Sequence, residues 1–288
     1  MPCCQRSALR FSVLAGQMNL GQIAFVAIGA YTSALLVTKF HIPFLGGMVA
    51  AGLTAGLIGI ALGLGYARAS GVYWALASMV LVEVVRITIL LAKPLTGGAL
   101  GISGIPPPDL VVVKLQSASS QYWLGLVLLG VSLAVMHVVE NSRLGLTWKA
   151  IGSRQDLAAS VGINVYRYKV LAFAFSGFFA GIAGSYYAHT TSYITSESGF
   201  GILESVAILL YVFIGGKDRF IGPIIGAPLL ILLSQPFKGA RQYEMLFFSM
   251  AAMAIILALP RGLVSVSEKF AVFKRRKGNP KKDAALET

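Results

Sequence analysis

The sequence of 288 residues has little charge and almost no cysteine. Charged residues account for 12% of the chain and hydrophobic residues for 56%, whereas soluble globular proteins carry roughly 25% charged residues. This composition argues against a water-soluble domain and excludes a disordered or collagen-like chain. Cys3 and Cys4 are adjacent and have no neighbouring cluster of metal ligands, so the sequence favours neither a disulfide scaffold nor a cysteine metal site.

The motifs of several enzyme classes are also missing. The sequence has no G-x-x-x-x-G-K-[ST] phosphate loop, no H-E-x-x-H zinc motif and no G-x-S-x-G nucleophile elbow. It holds only 11 Asp and Glu residues, and ion-coupled carriers use such groups near the middle of the bilayer. We therefore predict a protein that is not an enzyme, binds no cofactor or metal itself, and depends on another chain for energy.

The sequence does contain a series of apolar runs, each about as long as a bilayer is thick. A transmembrane helix needs about 20 apolar residues, and these runs lack the alternation of a membrane barrel strand. We predict an all-α, polytopic transmembrane helical bundle with about eight spans. The expected spans cover residues 20–38, 44–66, 71–92, 122–139, 169–188, 201–216, 220–235 and 243–260.

The distribution of positive charge indicates the orientation of this bundle. Most of the 24 Lys and Arg residues fall in the loops of one side and in the C-terminal tail, so that side, with both termini, is predicted to be cytoplasmic. We divide the chain into a transmembrane domain of residues 1–265 and a basic cytoplasmic tail of residues 266–288, which contacts membrane lipid. The basic residues form no patch interleaved with aromatic side chains, so no nucleic-acid partner is expected.

Two kinds of residue stand out within the predicted spans. Glu83 and Arg86 are three residues apart and share a helix face, which favours an ion pair that locks the helix or, alternatively, a role in a pathway or its gate. Glycines spaced by four residues favour close helix packing. Helix breaks are predicted at Gly215, Gly216, Gly222 and Pro223.

The longest cytoplasmic loop, residues 140–168, has a helix signal of its own. Ser153 and Asp156 have the spacing of a capping box, Leu157, Ala158 and Val161 follow on one face, and Gly162 offers a left-handed C-cap. Two turns are not stable alone in water, so this helix must pack against something. It is either a connector that lies on the lipid headgroups or a knob that inserts into a groove of a partner.

Short motifs follow one another along nearly the whole chain. They are A-G-Q-M-N-L-G-Q at 15–22, I-G-A-Y at 28–31, G-V-Y-W-A at 71–75, E-V-V-R at 83–86, T-G-G through G-I-P at 96–106, G-I-N-V-Y-R-Y-K at 162–169, G-G through G-P at 215–223 and P-R-G-L at 260–263. In this order they resemble the motifs of the branched-chain amino acid ABC transporter permeases of the LivM type. Family members usually have one or two more hydrophobic helices upstream of the first motif, and Asn19 stands where they usually have serine.

The resemblance implies a permease subunit of an ATP-driven importer in the bacterial cytoplasmic membrane. Its partners would be a second related permease, two cytoplasmic ATPases that hold ATP and magnesium, and an extracytoplasmic substrate-binding protein. The helix in the loop would be the coupling helix that docks on an ATPase, formed by Ser153, Arg154, Asp156, Leu157, Ala158, Val161 and Gly162. Candidates for the pathway or its gate are Gln17, Asn19, Gly21, Gln22, Glu83, Arg86, Thr96, Gly97 and Gly98.

The expected substrate is a branched-chain or related hydrophobic amino acid. Alternatives are urea or a short amide, which the same family handles, a truncated subunit that does not transport, and an ion-coupled carrier that works without an ATPase. Selectivity is expected to reside mainly in the binding protein, because the chain offers no isolated specificity residue.

Overall fold

The computed structural model describes residues 19–66, 72–110, 113–114, 117–196, 199–202, 204–206 and 208. All of them belong to the first of the two units into which the chain divides, Met1–Leu209. Five long helices dominate this part of the chain. They are α1 (Gln22–Phe40), α2 (Phe44–Tyr66), α3 (Val72–Leu91), α5 (Ala118–Glu140) and α8 (Val165–Thr191), with the one-turn α4 (Lys93–Thr96) between α3 and α5.

These five helices confirm the first five predicted spans. Each is long and apolar enough to cross a membrane, and the helix ends differ from the predicted span ends by at most four residues. The three further predicted spans, the helix breaks at Gly215, Gly216, Gly222 and Pro223, and the basic tail lie outside the described residues.

The core of the described bundle is formed by α1, α2 and α8, which pack through glycine. A Cβ atom at Gly29 of α1 would overlap the backbone of Gly181 in α8, and one at Gly181 would overlap the Ala51 carbonyl of α2. Such close approach of backbones compensates for the missing hydrophobic drive between helices in lipid. Since 72% of the apolar stretch of α8 is buried against 17% of that of α5, α8 is the central helix and α5 is peripheral among the described helices.

The connections on the side predicted to be extracytoplasmic are ordered by short strands, which the all-α prediction did not anticipate. After α4 come a 3₁₀ turn (Gly98–Leu100) and β1 (Ile102–Ser103), which pairs antiparallel with β4 (Tyr193–Ile194). Strands β2 (Asp109–Leu110) and β3 (Val113–Lys114) pair with each other. The β1–β4 pair ties the loop after α3 to the end of α8.

On the opposite side, two helices fill the loop between α5 and α8. They are α6 (Arg143–Ser153) and α7 (Gln155–Ser160). The Trp148 side chain of α6 is fully buried, and its indole N–H donates to the Tyr168 carbonyl at 2.9 Å. Lys149 forms an ion pair with Glu140 at 3.1 Å. These contacts hold the loop against the ends of α5 and α8.

Candidate functional site

The first described helix begins beside the middle of α8. The Gln22 side chain at the start of α1 donates to the Ser176 carbonyl in α8 at 3.2 Å. Ser176 lies eleven residues after the start of α8, which is about 16 Å along a helix. The first turn of α1 therefore lies beside the middle of α8 and not beside its end, and the cytoplasmic position of the start of the first span stays a prediction.

Residues 19–21 are not helical, and we call them the break at the start of α1. The polar groups of their backbone are hydrogen-bonded by side chains. The Leu20 N–H donates to the Ser78 hydroxyl at 3.0 Å, and the Leu20 carbonyl accepts from the Ser205 hydroxyl. The Gly21 N–H donates to the Asn19 side chain at 2.8 Å. Backbone outside a helix is tolerated at membrane depth only when its polar groups are satisfied in this way.

The two amide side chains of the break form a closed polar cluster with Ser176. Asn19 donates to the Gln22 side-chain oxygen at 3.1 Å, and the Ser176 hydroxyl donates to the same oxygen at 2.8 Å. Asn19, Gln22 and Ser176 are each at most 1% exposed. The cluster therefore joins the break to α8 and, through Ser78, to α3, and a pathway role for Asn19, Gly21 and Gln22 stays a prediction. Gln17 lies outside the described residues.

A second buried polar chain, which sequence analysis did not identify, lies nearer the other end of α8. The Ser185 hydroxyl donates to that of Ser33 at 2.8 Å, Ser33 lies 3.0 Å from His189 Nε2, and His189 Nδ1 lies 2.8 Å from the Pro106 carbonyl. Because a carbonyl only accepts, Nδ1 carries the proton and Nε2 accepts from Ser33. The imidazole is fully buried. The sequence alone shows only a histidine and two serines in separate parts of the chain, and nothing in it indicates that they meet.

The predicted ion pair between Glu83 and Arg86 is present on α3. Arg86 Nε donates to both carboxylate oxygens of Glu83, at 3.1 and 3.0 Å, and Nη2 donates to one of them as well. The Arg86 and Glu83 side chains are 28% and 36% exposed. The geometry favours the helix-locking interpretation, because each charge is neutralised on its own helix.

Replacement of Glu83 by alanine is expected to lower the yield of assembled protein several-fold. It removes the carboxylate that neutralises Arg86 inside a span, where an isolated charge is costly. The double variant Glu83→Ala/Arg86→Ala removes both charges and should recover part of the yield. The measurement is the monodisperse fraction in size-exclusion chromatography after mild detergent extraction. A double variant that assembles less well than Glu83→Ala would contradict the ion-pair interpretation.

The T-G-G motif forms the turn between α4 and β1. The Thr96 hydroxyl donates to the Ile89 carbonyl at 2.6 Å and accepts the Gly98 N–H at 3.2 Å. Gly97 has φ of 73° and Gly98 has φ of 62°, the left-handed region that glycine adopts readily. The structure thus gives Thr96, Gly97 and Gly98 a defined structural function at one end of α3. A pathway role for them stays a prediction.

The coupling loop differs from its prediction at the start of its second helix. Ser153 does not cap α7: it is the last residue of α6, and its hydroxyl donates to the Lys149 carbonyl one turn earlier at 2.9 Å. Arg154 occupies the N-cap position without a side-chain hydrogen bond. The capping-box prediction is wrong because a serine at a helix end bonds as readily to its own preceding turn. Asp156 lies in the first turn of α7, as expected.

The end of α7 confirms the predicted left-handed cap. Gly162 has φ of 84°; its N–H donates to the Ala159 carbonyl at 3.0 Å, and the Ile163 N–H donates to the Ala158 carbonyl at 3.1 Å. These two bonds form a Schellman motif. Ala158 is buried, whereas Leu157 and Val161 are 60% and 75% exposed, so only part of the predicted apolar face packs on this chain.

The sequence of the chain matches a known protein family. The model of the branched-chain amino acid transport system permease component matches residues 7–259. The chain is 30% identical to the LivM high-affinity branched-chain amino acid permease proteins of Escherichia coli and Salmonella typhimurium, over 88% of this chain and 65% of each of them. The chain thus spans slightly less than two thirds of those two relatives.

Two further relatives are named for other substrates. The autoinducer 2 import permease LsrC of Yersinia pseudotuberculosis is 30% identical over 62% of this chain and 57% of its own length. The guanosine permease NupQ of Bacillus subtilis is 26% identical over 78% of this chain and 74% of its own length. No solved structure matches the chain.

The resemblance inferred from the motifs is confirmed by a family match over most of the chain. Together with the five helices able to cross a membrane, it confirms the prediction of a multi-pass protein of the bacterial inner membrane. The chain belongs to the family of permease components of branched-chain amino acid transport systems.

Proposed function

We propose that the chain is the membrane-spanning permease subunit of an ATP-driven importer for branched-chain or related hydrophobic amino acids. It acts with a second related permease, two ATPases in the cytoplasm and an extracytoplasmic binding protein. ATP and magnesium are held by the ATPases, and this chain performs no chemical step. Its helices open a path to one side of the membrane and then to the other as the ATPases close and separate.

The observation that carries this proposal is the family match over residues 7–259. The substrate class is supported by identity to two permeases named for branched-chain amino acids. Since relatives named for guanosine and autoinducer 2 also match, the amino acid is the finer part of the proposal. The test must therefore compare these solutes.

Uptake by reconstituted vesicles tests the proposal. The chain is purified from native membranes in mild detergent with its co-purifying subunits, reconstituted, and given the binding protein, ATP and either labelled leucine or labelled guanosine. We expect an ATPase and a second multi-span chain to co-purify, and leucine to accumulate only with ATP. Accumulation of guanosine alone would overturn the amino-acid assignment, and leucine uptake driven by a proton gradient without ATP would overturn the importer assignment.

The loop helix α7 supplies the surface that we assign to ATPase coupling. Leu157 and Val161 are exposed on one side of α7, while Ala158 is buried against this chain and the Schellman motif ends the helix. Arg154 is also exposed at the start of α7. An apolar ridge with a positive charge at one end fits a partner groove that is apolar at its base and acidic at its rim.

Aspartate at Leu157 or Val161 is expected to reduce ATP-driven uptake at least tenfold, because a charge would be buried in the partner groove without a counter-charge. Ala159→Asp is the matched control: Ala159 is also exposed but lies about 200° around α7 from Leu157. The control should retain uptake and all three variants should remain in the membrane. Normal uptake by both Leu157→Asp and Val161→Asp would defeat the coupling assignment.

A further inference from the structure

Two buried hydroxyl groups have no hydrogen-bond partner among the described residues. They belong to Tyr31 in α1 and to Ser196 in the segment after β4. Tyr31 is 4% exposed and Ser196 is fully buried. Because a buried polar atom without a partner is costly and uncommon in native structures, each of these two hydroxyls can take a hydrogen-bond partner that the described residues do not supply.

Tyr31 contacts a residue that follows Ser196 in the chain. The Tyr31 ring packs against that of Phe200, with centroids 6.2 Å apart, and Phe200 lies four residues after Ser196. Ile194, two residues before Ser196, belongs to the same core cluster as Tyr31 and Phe200. Described residues on both sides of Ser196 therefore share a core cluster with α1.

An acidic side chain lies on the same segment. Glu204 belongs to the short helical stretch after Phe200, and its carboxylate lies directly against Gly201. The Tyr187 ring of α8 packs on Phe200 with centroids 5.9 Å apart, and the Tyr187 hydroxyl lies beside Gly199. The region thus combines two hydroxyl donors, aromatic walls and a carboxylate.

This region lies between the extracytoplasmic loops and the break in α1. Tyr31 follows Gln22 by nine residues, which is about 14 Å further along the helix. Ser196 follows β4, whose pairing with β1 ties it to the loop after α3, by two residues. A solute that enters from the extracytoplasmic side and moves toward the break would pass this level.

We propose that the Tyr31 and Ser196 hydroxyls donate hydrogen bonds to the α-carboxylate of an amino acid in transit, and that Glu204 accepts from its α-ammonium group. This inference rests on the proposed function and deepens it by naming a binding site within the permease. Two neutral donors and one carboxylate match a zwitterion, and the apolar surroundings of Phe200 and Ile194 suit a hydrophobic side chain. A neutral nucleoside leaves the carboxylate without an ammonium partner.

Tyr31→Phe separates this site from a structural role, because it removes only the oxygen and leaves the ring on Phe200. If the hydroxyl serves the substrate, leucine uptake falls about tenfold while the melting temperature of the complex is unchanged or higher, since an unsatisfied buried group is lost. Tyr186→Phe is the matched control. Its hydroxyl donates to the Gln121 carbonyl at 2.7 Å, so its loss should lower the melting temperature and leave uptake per folded complex unchanged.

Ser196→Ala and Ser185→Ala form a second matched pair. Ser185 is hydrogen-bonded to Ser33, so Ser185→Ala is expected to affect stability first and Ser196→Ala to affect uptake first. Leucine uptake that is undiminished in both Tyr31→Phe and Ser196→Ala would overturn the site and leave the proposed function standing. A wild-type complex that hydrolyses ATP but imports no leucine would overturn the proposed function and this inference with it.

Discussion

Replacement of Gly29 by alanine is expected to force α1 and α8 apart and to lower the stability and the yield of the assembled chain sharply. The added Cβ would overlap the Cα atom and the carbonyl of Gly181, which are backbone atoms of another helix and cannot turn aside as a flexible side chain would. Overpacking in a well-packed core typically costs about 1–3 kcal/mol and occasionally more. We expect the upper end of this range, because two helix axes must separate along a contact that Gly184 and Val26 continue.

The measurement is the melting temperature and the monodisperse yield of the detergent-solubilised chain. Gly130→Ala is the matched control, since Gly130 also lies within a membrane-crossing helix, α5, but has no atom within 4 Å of the position of an added Cβ. Alanine there should be neutral or slightly stabilising, because alanine has the higher helix propensity. If the Gly29 and Gly130 variants melt at the same temperature, the close crossing of α1 and α8 is wrong.

Replacement of Gln22 by leucine is expected to destabilise the break at the start of α1 by about 2–4 kcal/mol, on the basis of roughly 1–3 kcal/mol for each buried polar group left without a partner. The Gln22 oxygen accepts from both Asn19 and Ser176, and its amide donates to the Ser176 carbonyl. The leucine side chain has a similar size but can neither accept nor donate a hydrogen bond. Both neighbouring donors would lose this acceptor at a depth that water does not reach.

Thr88→Val is the control for this variant, because the Thr88 hydroxyl is exposed and bonds only to the Val84 carbonyl of its own helix at 2.7 Å. We expect a clear fall in melting temperature for Gln22→Leu and a change of at most a few tenths of a kcal/mol for Thr88→Val. The double variant Gln22→Leu/Ser176→Ala also removes the Ser176 hydroxyl that donates to Gln22 in the wild type and should recover part of the loss. Equal stability of Gln22→Leu and wild type would show that the polar cluster contributes nothing to the fold.

The coupling loop illustrates how far local sequence signals reach. The left-handed cap at Gly162 was predictable because only the conformational freedom of one residue was needed. The start of α7 was not, since Ser153 can cap a following helix or bond back to a preceding one. The structure shows the second alternative, with the Ser153 hydroxyl on the Lys149 carbonyl. The contact that holds α6 in place, from the buried Trp148 to the Tyr168 carbonyl, joins residues twenty positions apart.

The candidate site also contains contacts that the local sequence predicts and contacts that it does not. The spacing of Glu83 and Arg86 was sufficient to predict their ion pair, because residues three apart on a helix are neighbours. The Ser176 partner of Gln22 and the Ser33 and Pro106 partners of His189 lie more than 80 residues away in the chain, so no local pattern could identify them. The same holds for Tyr31 and Ser196, because the lack of a hydrogen-bond partner among the described residues follows from how the core packs.

The sequence by itself determined the class of the protein, the five described spans and the family. The class and the spans follow from the length of the apolar runs and the distribution of positive charge, and the family follows from the order of the motifs. These are properties of the linear sequence, so they do not depend on which distant residues come into contact. The depth of the α1 break, the glycine contacts at Gly29 and Gly181, and the buried hydroxyls were decided only by the tertiary structure. Their physical reason is shared: each depends on which backbone or polar atom of a distant segment comes within contact distance, and helix packing alone settles that distance.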